Sequence, residues 1–125
     1  VTVARRRTGQ IAEDLVAARL ATAGWEIVAR NARTRYGELD IVARQGRALV
    51  FIEVKAARAG TSFGPGRPIL SIDPRKQRRV RRLATAWMAA RRDLPPYDEI
   101  RFDAVGVTLD GTGRPTDVDY VKAAF

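Results

Sequence analysis

Asp40 and the triplet Glu53-Val54-Lys55 are the residues of this chain whose types and spacing point to chemistry. Side chains alternate along a strand, so Glu53 and Lys55 share one face of theirs, and Glu38 and Asp40 share one face of the strand before it. A register that sets Asp40 opposite Glu53 or Lys55 puts two carboxylates and one ammonium together among Val, Ile, Leu and Phe. Two like charges about 4 Å apart repel by about 4 kcal/mol at an effective dielectric of 20, and one lysine does not offset both that and burial. Either the acids stay partly protonated or a divalent cation sits between them. With Cys 0 and His 0, thiolate and imidazole metal sites and His-based acid–base chemistry are excluded. The cation must be a hard one held by oxygen, Mg²⁺ or Mn²⁺. Such an ion beside Lys55 suits hydrolysis of a phosphodiester. The plain alternative is a solvated cross-strand ion pair, since an acid-x-lysine triplet is common by chance. An acid on the preceding strand, a very apolar carrier strand, the basic domain and a helix carboxylate at Glu13 favour a site.

The elements that must position these groups are legible from periodicity. Thr8 is placed to cap a helix over about Gly9 to Ala23, with Gly24 just beyond it. Ala12, Leu15, Val16 and Ala23 form its apolar stripe, and Glu13 shares an adjacent row with Val16, Ala17 and Leu20, at the margin of the buried face. Trp25–Asn31, Gly37–Ala43 and Arg47–Ala57 read as three successive strands, the last two joined by a tight Gln45-Gly46 turn into an antiparallel hairpin. Leu49, Val50, Phe51, Ile52 and Val54 give the third strand the pattern of a central strand buried on both faces.

Arg58–Ser71 is glycine- and proline-rich and reads as a long loop. Asp73 followed by Pro74 caps a second helix that runs to about Arg92, with Val80, Leu83, Ala84, Trp87 and Met88 inward and Arg75, Arg78, Arg79 and Arg82 on the other side. Ile100–Thr108 is a fourth strand, parallel by crossover to one of the first three, and Val118–Val121 an edge strand. The order is α-β-β-β-α-β with an added strand: an α/β fold, a mixed sheet flanked by helices. At 125 residues the chain has room for a single domain, 1–125, with one core.

The stretches GELDIVA, LVFIEVKAAR, SFG, RFDAVGV and the terminal AAF together resemble the YraN-like family of small bacterial proteins. That family resembles the Holliday-junction-resolvase branch of the PD-(D/E)xK nucleases, whose restriction-endonuclease-like core has the order read above. The resemblance covers nearly the whole chain. It implies Asp40 and Glu53 as metal-binding acids, Lys55 as the catalytic lysine, and Glu13 as the helix acid that many resolvase-like members place beside the metal. Glu38 belongs to the family's G-E-hydrophobic-D signature. Lys76 and Gln77 fall where the second helix helps with backbone contacts, and Arg58 follows the catalytic lysine. The chain departs from the pattern at Leu39, where the naming proline stands, and in the spacing through Ala57 to Arg58. Such nucleases commonly pair to cut two strands, so the resemblance also admits a homodimer.

Composition agrees with a polyanionic partner. Lys+Arg 23 against Asp+Glu 14 gives +9 at pH 7, and Lys55, Lys76 and Lys122 are the lysines, so nearly all the basic charge is arginine. Arg75, Lys76, Arg78, Arg79, Arg82 and Arg58 are the candidate nucleic-acid contacts, and Phe63 the candidate for touching a base. Trp25 and Trp87 fall in apolar patterns and belong to the core. No apolar run approaches the roughly 20 residues that span a bilayer, and no signal peptide is visible, so a cytoplasmic location without membrane is expected. The expected activity is metal-dependent endonucleolytic cleavage of DNA, branched or otherwise structured. The rivals are a binding module that kept the fold without cleaving, and a structural partner of a larger complex.

Overall fold

The computed structural model describes residues 3–59 and 72–125, with side chains from residue 7 onward. Helix α1 (Val3–Thr22) precedes strands β1 (Glu26–Thr34), β2 (Gly37–Gln45) and β3 (Ala48–Arg58). Helix α2 (Pro74–Ala89) then leads to β4 (Glu99–Leu109) and β5 (Pro115–Val121). The strands form one sheet in the order β1-β2-β3-β4-β5. β3 and β4 are parallel and the remaining neighbours antiparallel. This is the mixed α/β sheet and element order expected from the sequence. Phe63 and the glycine-rich loop lie outside the described residues.

One helix covers each face. Ala12, Val16, Ala17 and Leu20 of α1 pack on Ile41, Val50, Ile52 and Val107. Val80, Leu83, Ala84 and Trp87 of α2 pack on Leu49, Phe51 and Phe102 from the opposite face. β3 therefore sends alternate residues into two cores, which is why it reads as a continuous apolar run and why it lies at the sheet's centre. Trp87 is buried edge-on against Phe51, and Trp25 is partly buried against Tyr120.

Several local expectations are corrected. α1 begins at Val3, so Thr8 lies inside the helix, buried, with its hydroxyl accepting a hydrogen bond from Arg58 Nε at 3.1 Å instead of capping. The helix presents Ala17 and Leu20 with Ala12 and Val16, and Ala23 is exposed beyond its end. The hairpin turn is Gly46-Arg47, one residue later than read, because Gly46 supplies the positive φ of 59° and Gln45 still pairs with Ala48. α2 stops at Ala89, short of Arg92, and the Arg91 guanidinium turns back over the Trp87 ring, 4.8 Å from its centroid. The Asp73 cap and Pro74 start are as expected, with the Asp73 carboxylate accepting from the Lys76 N–H at 2.9 Å.

Candidate active site

The site forms where β2 and β3 part. Their ladder runs from Gln45↔Ala48 to Ile41↔Ile52 and ends there. Continued by one step, it would set Asp40 opposite Glu53. Instead the Asp40 carboxylate takes over a backbone partner's role and accepts the Val54 N–H at 2.9 Å. Glu53 and Lys55 continue the row of Leu49 and Phe51 on the α2 face, and the Asp40 and Glu53 carboxyls lie close enough to act on each other. Two carboxyls that close favour one proton held between them. Burial, then the Glu53 charge, pushes Asp40 up to about 7 against the pull of the Val54 N–H. Burial likewise raises Glu53, opposed by Lys55, the proton shared with Asp40, Arg79 and Lys76.

The cations around this pair come from two elements. Lys55 is held below its usual range by burial and by the neighbouring Lys76 of α2, while Glu53 and Asp40 pull the other way. Lys76 and Arg79 thus reach the carboxylate pair from the first turns of α2. Glu13 approaches from α1. Asn31 Nδ2 donates to its carboxylate at 2.6 Å, and burial and then the Asp40 charge push Glu13 up to about 7. Glu38 is exposed, 3.9 Å from Arg33, and its charge adds to the repulsion on both Asp40 and Glu13.

The other basic residues spread over a wider surface. Arg75, Arg78, Arg79 and Arg82 are exposed along α2, as their spacing predicts. Arg82 lies over the ring of Tyr36 at 4.1 Å, and Arg79 abuts the start of β2, where a Cβ on Gly37 would come within 3.0 Å of its Nη2. Arg58 sits at the end of β3 against α1 through Thr8, away from the α2 row.

The donor set at the β2–β3 fork suits a hard cation: two carboxyls forced together, with Lys55, Lys76 and Arg79 at their edge. A Mg²⁺ ion is ordinarily held by one or two carboxylates and keeps several waters. Among the described residues no three acids are grouped so as to cage a metal, so those residues offer the Asp40–Glu53 pair, with Glu13 near Asp40 and hydrogen-bonded by Asn31. Two features escaped the sequence reading. Asn31, at φ 47°, leaves the strand conformation to reach Glu13, and the only local sign is an asparagine, which tolerates that region. Tyr36, whose ring carries Arg82, stands beside the G-E-L-D segment as an exposed aromatic at a turn.

Comparison with known proteins places the chain among uncharacterised relatives. Residues 12–107 match the profile of the uncharacterised protein family UPF0102. A UPF0102 protein of Moorella thermoacetica is 45% identical over 125 residues, covering 100% of both chains. That of Nocardia farcinica is 42% identical over 121 residues, 97% of this chain and 91% of its own. That of Acidothermus cellulolyticus is 45% identical over 130 residues, 98% of this chain and 96% of its own. No helix among the described residues is long and apolar enough to cross a membrane. The chain, matched over most of its length, belongs to the UPF0102 family.

Proposed function

We propose that this protein is a Mg²⁺- or Mn²⁺-dependent endonuclease that hydrolyses phosphodiester bonds of DNA. The observation that carries the reading is the meeting of Asp40, Glu53 and Lys55 where the β2–β3 ladder ends. Buried like charges are costly even beside a lysine, and strongly perturbed acids gather where chemistry needs them. Asp40 and Glu53 would hold the cation. When bound, it supplies positive charge that draws electron density from the phosphate and acidifies water.

The protein's own groups divide the rest of the work. The Lys55 ammonium, half-buried beside Lys76, orients the attacking water and offers hydrogen bonds to the phosphate oxygens. Lys76 and Arg79 add positive charge from α2 on the side a nucleic-acid backbone would approach. Glu13, held by Asn31 near Asp40, would give up its proton and add negative charge when a cation binds the pair. Arg75, Arg78 and Arg82 extend the basic surface over which DNA is held, with Arg58 outside that row.

The test is cleavage of labelled junction, flap and single-stranded DNA with Mg²⁺ or Mn²⁺, alongside binding of the same substrates in EDTA. The expected result is cation-dependent cutting that Glu53→Ala abolishes while affinity in EDTA stays within about twofold. Salt-sensitive binding with no cutting under either cation would make the protein a binding module built on the same fold. Absence of both binding and cutting removes the nucleic-acid reading altogether.

A further inference from the structure

A cleft of about 580 Å³ lies between β1 and the C-terminal half of α2. Its floor is small and apolar, with Ala32, Ala86 and the edge of Trp87, and its rim carries Arg33, Arg35 and Arg91. The size lies within the range of small-molecule and nucleotide pockets. One helical turn earlier on α2, Arg82 lies 4.1 Å from the centroid of the Tyr36 ring and Arg35 5.5 Å from it, and Tyr36 is 44% exposed. The tip that carries this ring is fixed. Thr34 Oγ1 accepts from the Tyr36 N–H and donates to the Gly37 carbonyl, and Gly37 lies hard against Arg79 and Leu83. Arg91 already lies over Trp87 and is paired with Asp93, so it acts as a wall, while the Arg33 side chain is 89% exposed and 3.9 Å from Glu38.

We propose that this cleft and the Tyr36 ring form a site for unpaired nucleotides, so that a single-stranded segment of nucleic acid crosses the β1–β2 tip. Arginines alone would serve a duplex equally well. A half-exposed arene with two guanidiniums packed over it, next to an apolar hollow, offers nothing to a stacked base pair, whereas a free base can stack on the guanidinium planes and on the ring surface they leave open. The guanidiniums at the rim meet the phosphates on either side of that base. The inference rests on reading the domain as a nucleic-acid protein, and it names the substrate as one with an unpaired stretch.

The test is fluorescence anisotropy in EDTA, with labelled oligo(dT) and a matched duplex as probes, so that failure to cleave does not bear on it. The wild type should prefer the single strand. Stacking on an aromatic contributes about 1–3 kcal/mol per base, so Tyr36→Ala should reduce that preference by about tenfold. Ala86→Leu, which fills the cleft floor, should reduce it severalfold, and Tyr36→Phe should retain it. An unchanged preference in both Tyr36→Ala and Ala86→Leu overturns the proposal, as does a wild type that favours the duplex. Sedimentation showing that Ala86→Leu breaks a dimer without altering DNA binding would assign the cleft to a second copy of the chain, and also overturns it.

Discussion

Asp40 and Asp103 flank the same central strand, Asp103 paired in register with Ile52 and Asp40 bonded to the Val54 N–H, yet they are treated in opposite ways. Asp103 is fully buried. Its Oδ1 accepts from Arg101 Nε at 2.8 Å and the Ala123 N–H at 2.9 Å, and its Oδ2 from Arg101 Nη2 at 2.9 Å and the Tyr120 hydroxyl at 2.5 Å. That network ties β4, β5 and the C-terminal turn together. Asp40 receives one backbone N–H and faces a second carboxylate. A buried acid given a cation and a full set of donors is part of the framework; one given another acid is held ready for a ligand that brings positive charge.

The largest effect should follow from breaking the satisfied acid. Asp103→Ala removes the fully buried acceptor of the partly buried Arg101 guanidinium, the Tyr120 hydroxyl and the Ala123 N–H, and should lower unfolding stability by about 3–5 kcal/mol in urea denaturation. A loss below about 1 kcal/mol would place Asp103 with Asp40 and erase the contrast.

Asp40→Asn should act with the opposite sign. A carboxyl whose pKa is raised in the fold gives stability that is fully present below its ordinary value near 4 and lost as pH rises through about 7. Asparagine keeps an acceptor for Val54 and carries no charge. In EDTA at about pH 8 the variant should therefore be more stable than wild type by on the order of 1 kcal/mol, about 4 °C in Tm, and the difference should shrink towards pH 4. Cation-dependent cleavage should be lost in the same protein. A variant less stable than wild type at every pH would mean that Asp40 is structural.

Glu13→Gln should shift stability in the same direction by less, because Asn31 and Arg30 already offset part of the Glu13 charge. Thermal melts of the single and double variants with Asp40→Asn check this. The gains should fall short of additive, since each acid raises the other.

The smallest stability effect should come from the arginines that lack a buried partner. Arg101 belongs to the framework, but Arg82 is exposed on α2. Arg82→Ala should change stability by less than about 0.5 kcal/mol and flatten the slope of log affinity against log salt on duplex DNA by about 0.9. An unchanged slope would remove Arg82 from the binding surface.

Much of this was readable from local pattern. The element order, the β2–β3 hairpin, the Asp73-Pro74 helix start and the inward stripe of α2 all follow from periodicity and capping chemistry, which act over a few residues. Alternation put Asp40 within reach of Glu53 or Lys55, and the turn at Gly46-Arg47, one residue later than the sequence suggests, aligns it with Glu53. The end of the β2–β3 ladder that makes it a site was not legible, because where a ladder ends depends on packing between distant segments, such as Gly37 at the head of β2 lying close to Arg79 and Leu83 of α2. Thr8 carried a capping signal that a distant arginine overrode. The Asp103 network was hidden for the same reason: its partners at Tyr120 and Ala123 lie far along the chain, and Ala123 takes a positive φ of 49° that alanine does not advertise.

The central claim is that Asp40 and Glu53 are kept together for a divalent cation. Calorimetric titration of Mn²⁺ into the cation-free protein near neutral pH tests it directly, with proton release read from runs in two buffers. The account predicts one ion per chain, protons released on binding, and both signals lost in Glu53→Gln. Absence of binding at millimolar Mn²⁺, or equal binding by wild type and Glu53→Gln, would contradict it.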